Sequence, residues 1–295
     1  MILLHFKKLL ESNKVVLFDG AMGTEIFKQG LNPGKVPDLL NIKNPEHVQN
    51  ILANYYNHSD LVQTCTFSSN TLCLTKNNIA DQLEQINIKA LENIKKVCPE
   101  NKLIVGDIGP SGEFRPPVGK INPEQWKESF LDQVKVLESG IDVWHVETIS
   151  DIQEMEAAIK AIKEISQKPI MASMTYRKTK KGFFTIMGDS PSSCVGILED
   201  QKVDVIGTNC TIGSDEMVEL SAELTSLTNK PVLVKPNAGS PRLEYSTGQT
   251  LYDQKPGDFV SDISKMIDNG VKIVGGCCGT TAKHVELLRS KIDTL

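Results

Sequence analysis

The chain has 295 residues, of which 40% are hydrophobic and 23% charged, and its formal net charge is −5. Fractions in this range exclude a disordered, collagen-like or low-complexity chain. An acidic protein without a basic stripe is a poor nucleic-acid binder, and no apolar run of about 18 residues is present to span a membrane. We therefore expect a globular protein with neither a nucleic-acid nor a membrane partner.

The N-terminal segment MILLHFKKLLESN predicts an amphipathic helix and not a secretion signal. Leu3, Phe6, Leu9 and Leu10 lie at helical spacing, and the lysines follow the short apolar run instead of preceding it. Seven cysteines, an odd number, in a long chain without a secretion signal argue for reduced thiols. We expect a cytoplasmic protein.

Short apolar, β-branched runs recur along the whole chain, and a turn signal and a helical pattern follow them. The eight predicted strands are residues 15–18, 61–64, 103–108, 142–147, 169–175, 203–208, 231–235 and 272–276. Helical patterns between them cover residues 45–58, 79–97, 123–139, 151–165, 215–227 and 256–269. Strict β–α alternation repeated eight times predicts a single (β/α)₈ barrel domain over residues 1–295, with an added N-terminal helix.

An open, doubly wound sheet is the alternative architecture, but the G-x-G-x-x-G turn typical of it is missing. Two long connections, 109–122 and 236–255, are rich in glycine, proline and polar residues. In a barrel they would be loops at the catalytic rim, where they are able to cover a site.

Three cysteines are predicted at the carboxyl ends of strands, where barrels of this type carry their active sites. Cys210 follows the sixth strand, and Cys277 and Cys278 follow the eighth. Adjacent cysteines form a disulfide only in a strained ring, so we expect the three thiolates to converge on a metal. Zinc suits sulfur ligands, and three protein ligands with an open fourth position are typical of a catalytic site. The alternative is that these cysteines are simply buried as small apolar groups.

A second group of polar residues is expected at the same rim. Asp19 opens the turn DGAMGT after the first strand, and Glu147 ends the fourth strand. The glycines of that turn, Gly20 and Gly23, free backbone N–H groups that would bind a carboxylate. Two acids for an ammonium group and N–H groups for a carboxylate together fit an amino acid. Taken singly, each acid is as readily explained by solvation or an ion pair.

The other cysteines and histidines give weaker signals. Cys65 follows the second strand and is a possible pocket residue, or the fourth ligand of a purely structural zinc site. Cys73, Cys98 and Cys194 are expected to be inert. His145 lies within the fourth strand and is expected to be a barrel-core residue, so a histidine-based zinc hydrolase is disfavoured.

Four rim motifs, in this order and spread over the whole chain, resemble the zinc-dependent homocysteine S-methyltransferases: DGAMGT (19–24), TNC (208–210), PNAG (236–239) and GGCCGT (275–280). The resemblance implies a (β/α)₈ barrel whose zinc is held by Cys210, Cys277 and Cys278, which act catalytically through the metal. It also implies substrate-binding residues. These are Asp19 and Glu147 as homocysteine contacts, the backbone of Gly20, Ala21, Met22 and Gly23 at its carboxylate, and Asn237, which approaches the zinc when substrate is absent.

The reaction implied by the resemblance is methyl transfer to a thiol, converting homocysteine to methionine. DGAMGT and PNAG resemble the homocysteine module of cobalamin-dependent methionine synthase, which implies a methyl-corrinoid donor. Because the barrel takes up nearly all of the chain, we expect that donor on a separate protein. Cys65 in VQTCTF resembles the betaine-using branch instead. A small donor, betaine or S-methylmethionine, and a different acceptor thiol therefore stay open.

Two alternatives of another class also stay open. The glycines at 275–276 would cradle a phosphate in a zinc-independent barrel lyase or isomerase. A non-catalytic barrel would bind zinc, or dock a corrinoid protein, without transferring a methyl group.

Overall fold

A computed structural model of the protein describes residues 2–28, 30, 36–244 and 249–295. The strands are β1 (Val16–Leu17), β2 (Leu61–Gln63), β3 (Leu103–Ile108), β4 (Val143–Ile149), β5 (Ile170–Met174), β6 (Arg177–Thr179), β7 (Gly182–Phe184), β8 (Val205–Gly213), β9 (Val232–Asn237), β10 (Arg242–Glu244), β11 (Gln249–Leu251) and β12 (Ile273–Val274). Eight of them form one parallel sheet in the order β1-β12-β9-β8-β5-β4-β3-β2. This arrangement confirms the predicted (β/α)₈ barrel.

Helices surround the sheet. They are α1 (Ile2–Glu11), α2 (Gly23–Lys28), α3 (Leu40–Lys43), α4 (Pro45–Tyr56), α5 (Thr71–Lys76), α6 (Leu83–Val97), α7 (Pro123–Leu137), α8 (Ile152–Ile165), α9 (Pro191–Asp200), α10 (Ser214–Leu227), α11 (Pro256–Asp268) and α12 (Ala282–Ile292). Their starts follow local chemistry: α7 begins at Pro123 behind a capping box formed by Asn122 and Gln125. None of the described helices is long and apolar enough to cross a membrane.

The barrel closes between its first two strands through Asp60. The Asp60 N–H donates to the carbonyl of Leu17 at 2.7 Å, and the Leu17 N–H donates to the Asp60 carboxylate at 2.8 Å. Arg289 of α12 holds that carboxylate from outside, with its guanidinium 2.6 Å from Oδ2. The seam is therefore made by one backbone hydrogen bond together with the Asp60 side chain, and not by a regular strand ladder.

The barrel interior is filled by side chains that alternate along the strands, and α1 covers its amino-terminal end. Phe6 of α1 is fully buried and packs with residues from the starts of the strands, among them Leu61, Leu103 and Val143. The predicted amphipathic N-terminal helix is therefore confirmed, and its apolar face is explained.

The structure contains two hairpins that the periodicity did not predict, β6–β7 after β5 and β10–β11 after β9. Helices α9 and α12 complete the ring of helices that the eightfold alternation implied. The connection 109–122, predicted as a loop, contains neither helix nor strand. The other predicted loop, 236–255, contains the hairpin β10–β11.

Candidate active site

The three rim cysteines converge as predicted. Cys210 lies within β8, and Cys277 and Cys278 lie in the turn after β12. Their sulfur atoms all lie within 4.8 Å of one another, and Sγ of Cys210 is 4.0 Å from Sγ of Cys278. Tetrahedral zinc with Zn–S bonds of 2.3 Å would separate two sulfur ligands by about 3.8 Å. The spacing and the soft donor set therefore fit zinc.

Backbone hydrogen bonds hold the Cys277–Cys278 turn against the neighbouring strands. The N–H of Cys277 donates to the carbonyl of Pro236 at 2.8 Å, and the carbonyl of Cys278 accepts from Ala238 at 2.9 Å. The Thr280 hydroxyl donates to the carbonyl of Cys277 at 2.7 Å. These bonds fix the two cysteines independently of any ligand.

The glycines in front of these cysteines do not form a phosphate cradle. The N–H of Gly275 donates to the carbonyl of Val234 at 3.0 Å, and the N–H of Gly276 donates to the carbonyl of Asp19 at 2.9 Å. Because both N–H groups are already used within the barrel, this turn offers them to no anion. The glycines at 275–276 therefore do not support the alternative of a phosphate-binding lyase or isomerase.

Cys210 stands on a strained backbone segment. Cys210 and Thr211 have φ angles of 60° and 67°, and Thr148 on the neighbouring rim has 62°. Left-handed backbone at a non-glycine residue costs about 1–3 kcal/mol and is maintained only where the surroundings enforce it. Asn209 helps to hold the backbone of Thr148 in this conformation, because its Oδ1 accepts from the Thr148 N–H at 2.8 Å.

Hydrogen bonding within the trio favours one thiolate. Hydrogen bonds from Cys210 and Cys277 lower the pKa of the Cys278 thiol, although burial opposes the shift. Tyr252, on the segment after β11, adds a further hydrogen bond to this sulfur. A lowered thiol pKa favours the thiolate, which is the form that binds a metal cation.

A cavity of about 150 Å³ opens beside the sulfurs. Eight of the ten predicted site residues line it: Gly20, Ala21, Met22, Gly23, Glu147, Cys210, Cys277 and Cys278. Cys65 also lines it but lies outside the three-sulfur cluster. Asp19 and Asn237 are buried and are not among the lining residues. Within the described part of the chain, Oδ1 of Asn237 has no hydrogen-bond partner.

Asp19 is held by a lysine that the sequence did not single out. Its Oδ1 lies 2.6 Å from Nζ of Lys235, and its Oδ2 accepts from the N–H of Gln63 at 2.8 Å. Lys235 is 1% exposed, and its ammonium lies 3.9 Å from the centre of the Phe18 ring. Burial lowers the pKa of Lys235, but the Asp19 and Glu147 carboxylates more than offset this and raise it. Lys235, which also lines the cavity, is therefore positively charged at neutral pH.

Gln63 connects this ion pair to the fourth strand. Its Oε1 is 3.2 Å from Nζ of Lys235 and 3.1 Å from Nδ1 of His145. Its Nε2 donates to Glu147 at 2.9 Å. His145 is fully buried, as predicted, and burial together with Lys235 holds its pKa well below the usual range. The imidazole is thus neutral.

A second group with metal-binding side chains lies at the cavity wall and directly behind it. Asp107, His145 and Glu147 offer atoms within 4.8 Å of one another. Both nitrogens of His145 already have partners, because Nε2 lies 2.9 Å from the Ser173 hydroxyl and Nδ1 faces Gln63. A metal here would have to break one of these bonds, so the cysteine trio is the better zinc site.

Four residues of this site were missed by sequence reasoning: Gln63, Asp107, Asn209 and Lys235. All lie near the ends of barrel strands, where a polar residue in an otherwise apolar run is the available signal. Asp107 in LIVGDI and Lys235 in PVLVK carry that signal in the sequence. Gln63 and Asn209 lie close in sequence to Cys65 and Cys210, which were themselves predicted as candidate site residues.

Comparison with known proteins agrees with this site. A family described as Homocysteine S-methyltransferase matches residues 16–292. Methionine synthase from Mycobacterium tuberculosis (strain ATCC 25618 / H37Rv) is 28% identical over 304 aligned positions, which cover 96% of this chain and 25% of that protein. Methionine synthase from Mycobacterium leprae (strain TN) is also 28% identical, covering 93% and 24%. The chain therefore spans about a quarter of the length of these relatives.

Among solved structures, the metallated form of the homocysteine methyltransferase MmuM from Escherichia coli has a TM-score of 0.81 at 21% identity, covering 97% of this chain and 99% of that one. The carboxyl transferase domain of Rhizobium etli pyruvate carboxylase has a TM-score of 0.55 at 14% identity, covering 97% and 47%. At these identities the similarity concerns the fold alone. The match over residues 16–292 confirms the methyltransferase family predicted from the rim motifs: the chain belongs to the homocysteine S-methyltransferase family.

Proposed function

We propose that this chain binds zinc through Cys210, Cys277 and Cys278 and transfers a methyl group to the thiol of homocysteine, producing methionine. The observation that carries the proposal is the convergence of three sulfur atoms within 4.8 Å at the wall of a cavity that Glu147 also lines. When bound, zinc would lower the pKa of the substrate thiol, which is ordinarily about 8.5, and so supply a thiolate.

The chain's own residues would orient the amino-acid part of the substrate. The DGAMGT turn is rigid, because the Tyr55 hydroxyl donates to the carbonyl of Ala21 at 2.7 Å and the N–H of Ala21 donates to Thr280 at 3.0 Å. Since that N–H is in use, we assign the substrate carboxylate to the N–H groups of Gly20, Met22 and Gly23. The carboxylate of Glu147 is assigned to the substrate ammonium.

Methyl transfer forms a bond between the acceptor sulfur and the methyl carbon and breaks the bond between that carbon and the donor. The electron pair of the broken bond leaves with the donor. The residues around the cavity therefore need only to position the thiol and to exclude competing acceptors.

For the donor we propose a methyl-corrinoid carried on a protein outside the barrel. The amino-acid sequences of the DGAMGT and PNAG segments and the 28% identity to methionine synthases support this choice over betaine or S-methylmethionine. Purified protein, loaded with zinc and homocysteine, would be offered methylcobalamin, betaine and S-methylmethionine in parallel. Methionine formed from methylcobalamin alone is the expected result, and methionine from either small donor would contradict the donor assignment.

The first experiment concerns the metal and the thiol. Protein purified under reducing conditions should hold close to one zinc per chain. Added L-homocysteine should release a proton and add one sulfur neighbour to the zinc in X-ray absorption spectra. Protein without zinc, or with zinc whose sulfur coordination ignores homocysteine, would contradict the proposed function.

A further inference from the structure

A second cavity opens between the ends of β4, β5 and β8 and the hairpin β6–β7. It has a volume of about 190 Å³, and its lining residues are Thr148, Ser150, Thr175, Arg177, Ile186 and Thr211. We call it the hydroxyl pocket. A single buried water occupies only about 10–15 Å³ of such space, so this pocket has room for a larger group. The proposed methyl transfer uses only the cavity beside the cysteines.

The polar groups of the hydroxyl pocket are hydrogen-bond donors. Four lining residues carry a hydroxyl group and one carries a guanidinium, whereas no lining residue is an acid. Among the described residues, the hydroxyls of Ser150 and Thr211 have no hydrogen-bond partner. The Thr148 oxygen accepts from Nδ2 of Asn209 at 2.8 Å, which leaves its own O–H free to donate. The lining therefore suits an anion and not a cation.

Thr175 supplies a buried donor to the hydroxyl pocket. The residue is 6% exposed, and its O–H lies 3.4 Å from the carbonyl oxygen of Ile149. This distance is longer than the 2.5–3.0 Å of an ordinary O–H···O bond. The N–H of Thr175 donates to the same carbonyl at 2.9 Å, so the carbonyl is satisfied without the hydroxyl. The Thr175 O–H is thus available to a ligand.

The guanidinium belongs to a strongly basic hairpin. Residues 177–181 read RKTKK, four cations in five exposed positions of a chain whose net charge is −5. Lys178 forms an ion pair with Glu219. Within the described part of the chain, Arg177, Lys180 and Lys181 have no ion pair. The hairpin therefore brings uncompensated positive charge to the edge of the hydroxyl pocket.

The acids close to the hydroxyl pocket in sequence have partners of their own. Asp151 follows Ser150, but it is 1% exposed and its Oδ2 lies 2.7 Å from Nε of Arg115. Asp189, in the loop after β7, has its Oδ2 3.4 Å from the Thr185 hydroxyl. Neither acid lines the pocket, so no lining carboxylate opposes an anion there.

Two of the hydroxyls are held by unusual backbone. Thr148 and Thr211 have φ angles of 62° and 67°, a region that β-branched residues rarely adopt. Strain of this kind is concentrated at ligand clamps and active sites. Thr148 lines both cavities, and Thr211 follows Cys210 directly. The hydroxyl pocket is therefore a separate compartment next to the cysteine site.

We propose that the hydroxyl pocket binds an oxyanion of the phosphate class through Arg177 and the surrounding hydroxyl groups. A phosphate monoester has three strong acceptor oxygens. The planar guanidinium fork matches two of them, and the hydroxyls donate to the remaining lone pairs. A carboxylate has only two oxygens and would leave more of these donors unused. This second ligand site goes beyond the proposed function and does not depend on it.

The test is isothermal titration calorimetry of the protein with inorganic phosphate at low ionic strength, with acetate as the comparison anion. We expect one phosphate per chain and weaker binding of acetate. Arg177→Gln and Thr175→Val should each weaken phosphate binding by about 10- to 100-fold, the usual effect of losing a hydrogen bond to a charged group. Arg177 is exposed and Thr175→Val preserves the side-chain shape, so both variants should fold, as thermal unfolding verifies.

Arg242→Gln is the matched control. Arg242 lies on the hairpin β10–β11, is exposed, and pairs with Asp253 at 3.5 Å without lining the hydroxyl pocket. The substitution removes the same charge as Arg177→Gln, so it separates a specific site from a general attraction of anions to the rim. Phosphate binding to Arg242→Gln should match the wild type. Zinc content and homocysteine binding should be unchanged in all three variants.

Four results would overturn the proposal. The first is a wild type that does not bind phosphate at millimolar concentration. The second is equal weakening by Arg177→Gln and Arg242→Gln, which would assign the binding to general surface charge. The third is phosphate binding that Thr175→Val does not change, which would place the anion outside the pocket. The fourth is tighter binding of acetate than of phosphate, which would indicate a carboxylate site. None of these results bears on zinc or homocysteine.

Discussion

Nζ of Lys235 lies 2.6 Å from Oδ1 of Asp19, and the two side chains are 1% and 2% exposed. The two residues are 216 positions apart and join the first turn of the barrel to β9. A buried ion pair of this kind adds little net stability compared with apolar residues, but it makes each partner indispensable to the other.

Replacing Lys235 alone should destabilise the fold strongly. Lys235→Met leaves the Asp19 charge buried without a cation, and we expect the free energy of unfolding to fall by about 3–5 kcal/mol. Urea denaturation of the purified variant measures the change. The double variant Asp19→Asn/Lys235→Met should recover most of the loss, because it removes the Asp19 charge together with its lysine.

An exposed lysine provides the comparison. Lys89 pairs with Glu92 at 2.6 Å on the surface of α6, where Lys89→Met should change stability by no more than about 0.5 kcal/mol. A loss below about 1 kcal/mol for Lys235→Met, similar to this control, would show that the buried pair is not constraining the barrel.

Zinc retention should depend on three cysteines and not on the others. Cys277→Ser is expected to abolish stable zinc binding, because a hydroxyl is a poor substitute for a thiolate ligand. Cys65→Ser and Cys73→Ser should keep the wild-type zinc content, since neither sulfur belongs to the described cluster. Metal analysis per chain distinguishes these outcomes. Zinc loss in Cys65→Ser would instead support the four-ligand structural site.

The turn before the cysteines has no room for a side chain. A Cβ added at Gly276 would lie 2.5 Å from Oγ1 and 2.6 Å from Cγ2 of Thr280, which is fully buried. Displacing Thr280 would break its bonds to Ala21 and Cys277. We expect Gly276→Ala to cost about 1–3 kcal/mol, in line with overpacked cores, and to weaken zinc binding.

Gly196 is the matched control for that substitution. It lies in α9 with nothing within 4 Å of an added Cβ. Gly196→Ala should therefore raise stability by about 0.5–1 kcal/mol through helix propensity. Thermal and urea unfolding should show a loss of stability for Gly276→Ala and a gain for Gly196→Ala. A stability change of the same sign in both variants would contradict the packing argument.

Glu154 should make stability fall as the pH rises. It is buried in α8, where burial raises its pKa to about 7 in spite of hydrogen bonds from the Ser111 N–H and hydroxyl. Between its ordinary value of 4.5 and about 7, the folded protein binds more protons than the unfolded chain, so this group destabilises the fold increasingly up to pH 7. Below pH 4.5 the effect is absent.

Glu154→Gln removes this titration while its side-chain oxygen still accepts from Ser111. The variant should match the wild type near pH 4 and exceed it by up to about 3 kcal/mol at pH 8. Urea unfolding across this pH range gives the difference in free energy of unfolding between the two proteins. Because they differ only at residue 154, this difference reports the titration of Glu154. A difference that does not change with pH would contradict the assignment.

Local patterns in the sequence were sufficient for the barrel and for the cysteine trio. Strand and helix periodicity is a property of a few neighbouring residues, and parallel strands carry their carboxyl ends to one rim. Cys210 near the carboxyl end of the sixth barrel strand and Cys277–Cys278 after the eighth were therefore expected at the same rim. The short hairpin β6–β7 escaped this reasoning because its first strand is exposed and lacks an apolar alternation.

Which acid faces the cavity was decided only by the tertiary structure. Asp19 and Asp107 both lie near strand ends, and nothing local distinguishes them. Lys235, on a strand 216 residues away from Asp19, pairs with Asp19, whereas Oδ1 of Asp107 has no hydrogen-bond partner among the described residues. Charge compensation in a buried site depends on atoms brought together from distant segments. The sequence by itself therefore determined the barrel and the convergence of the three cysteines, whereas the tertiary structure decided which carboxylates line the cavity.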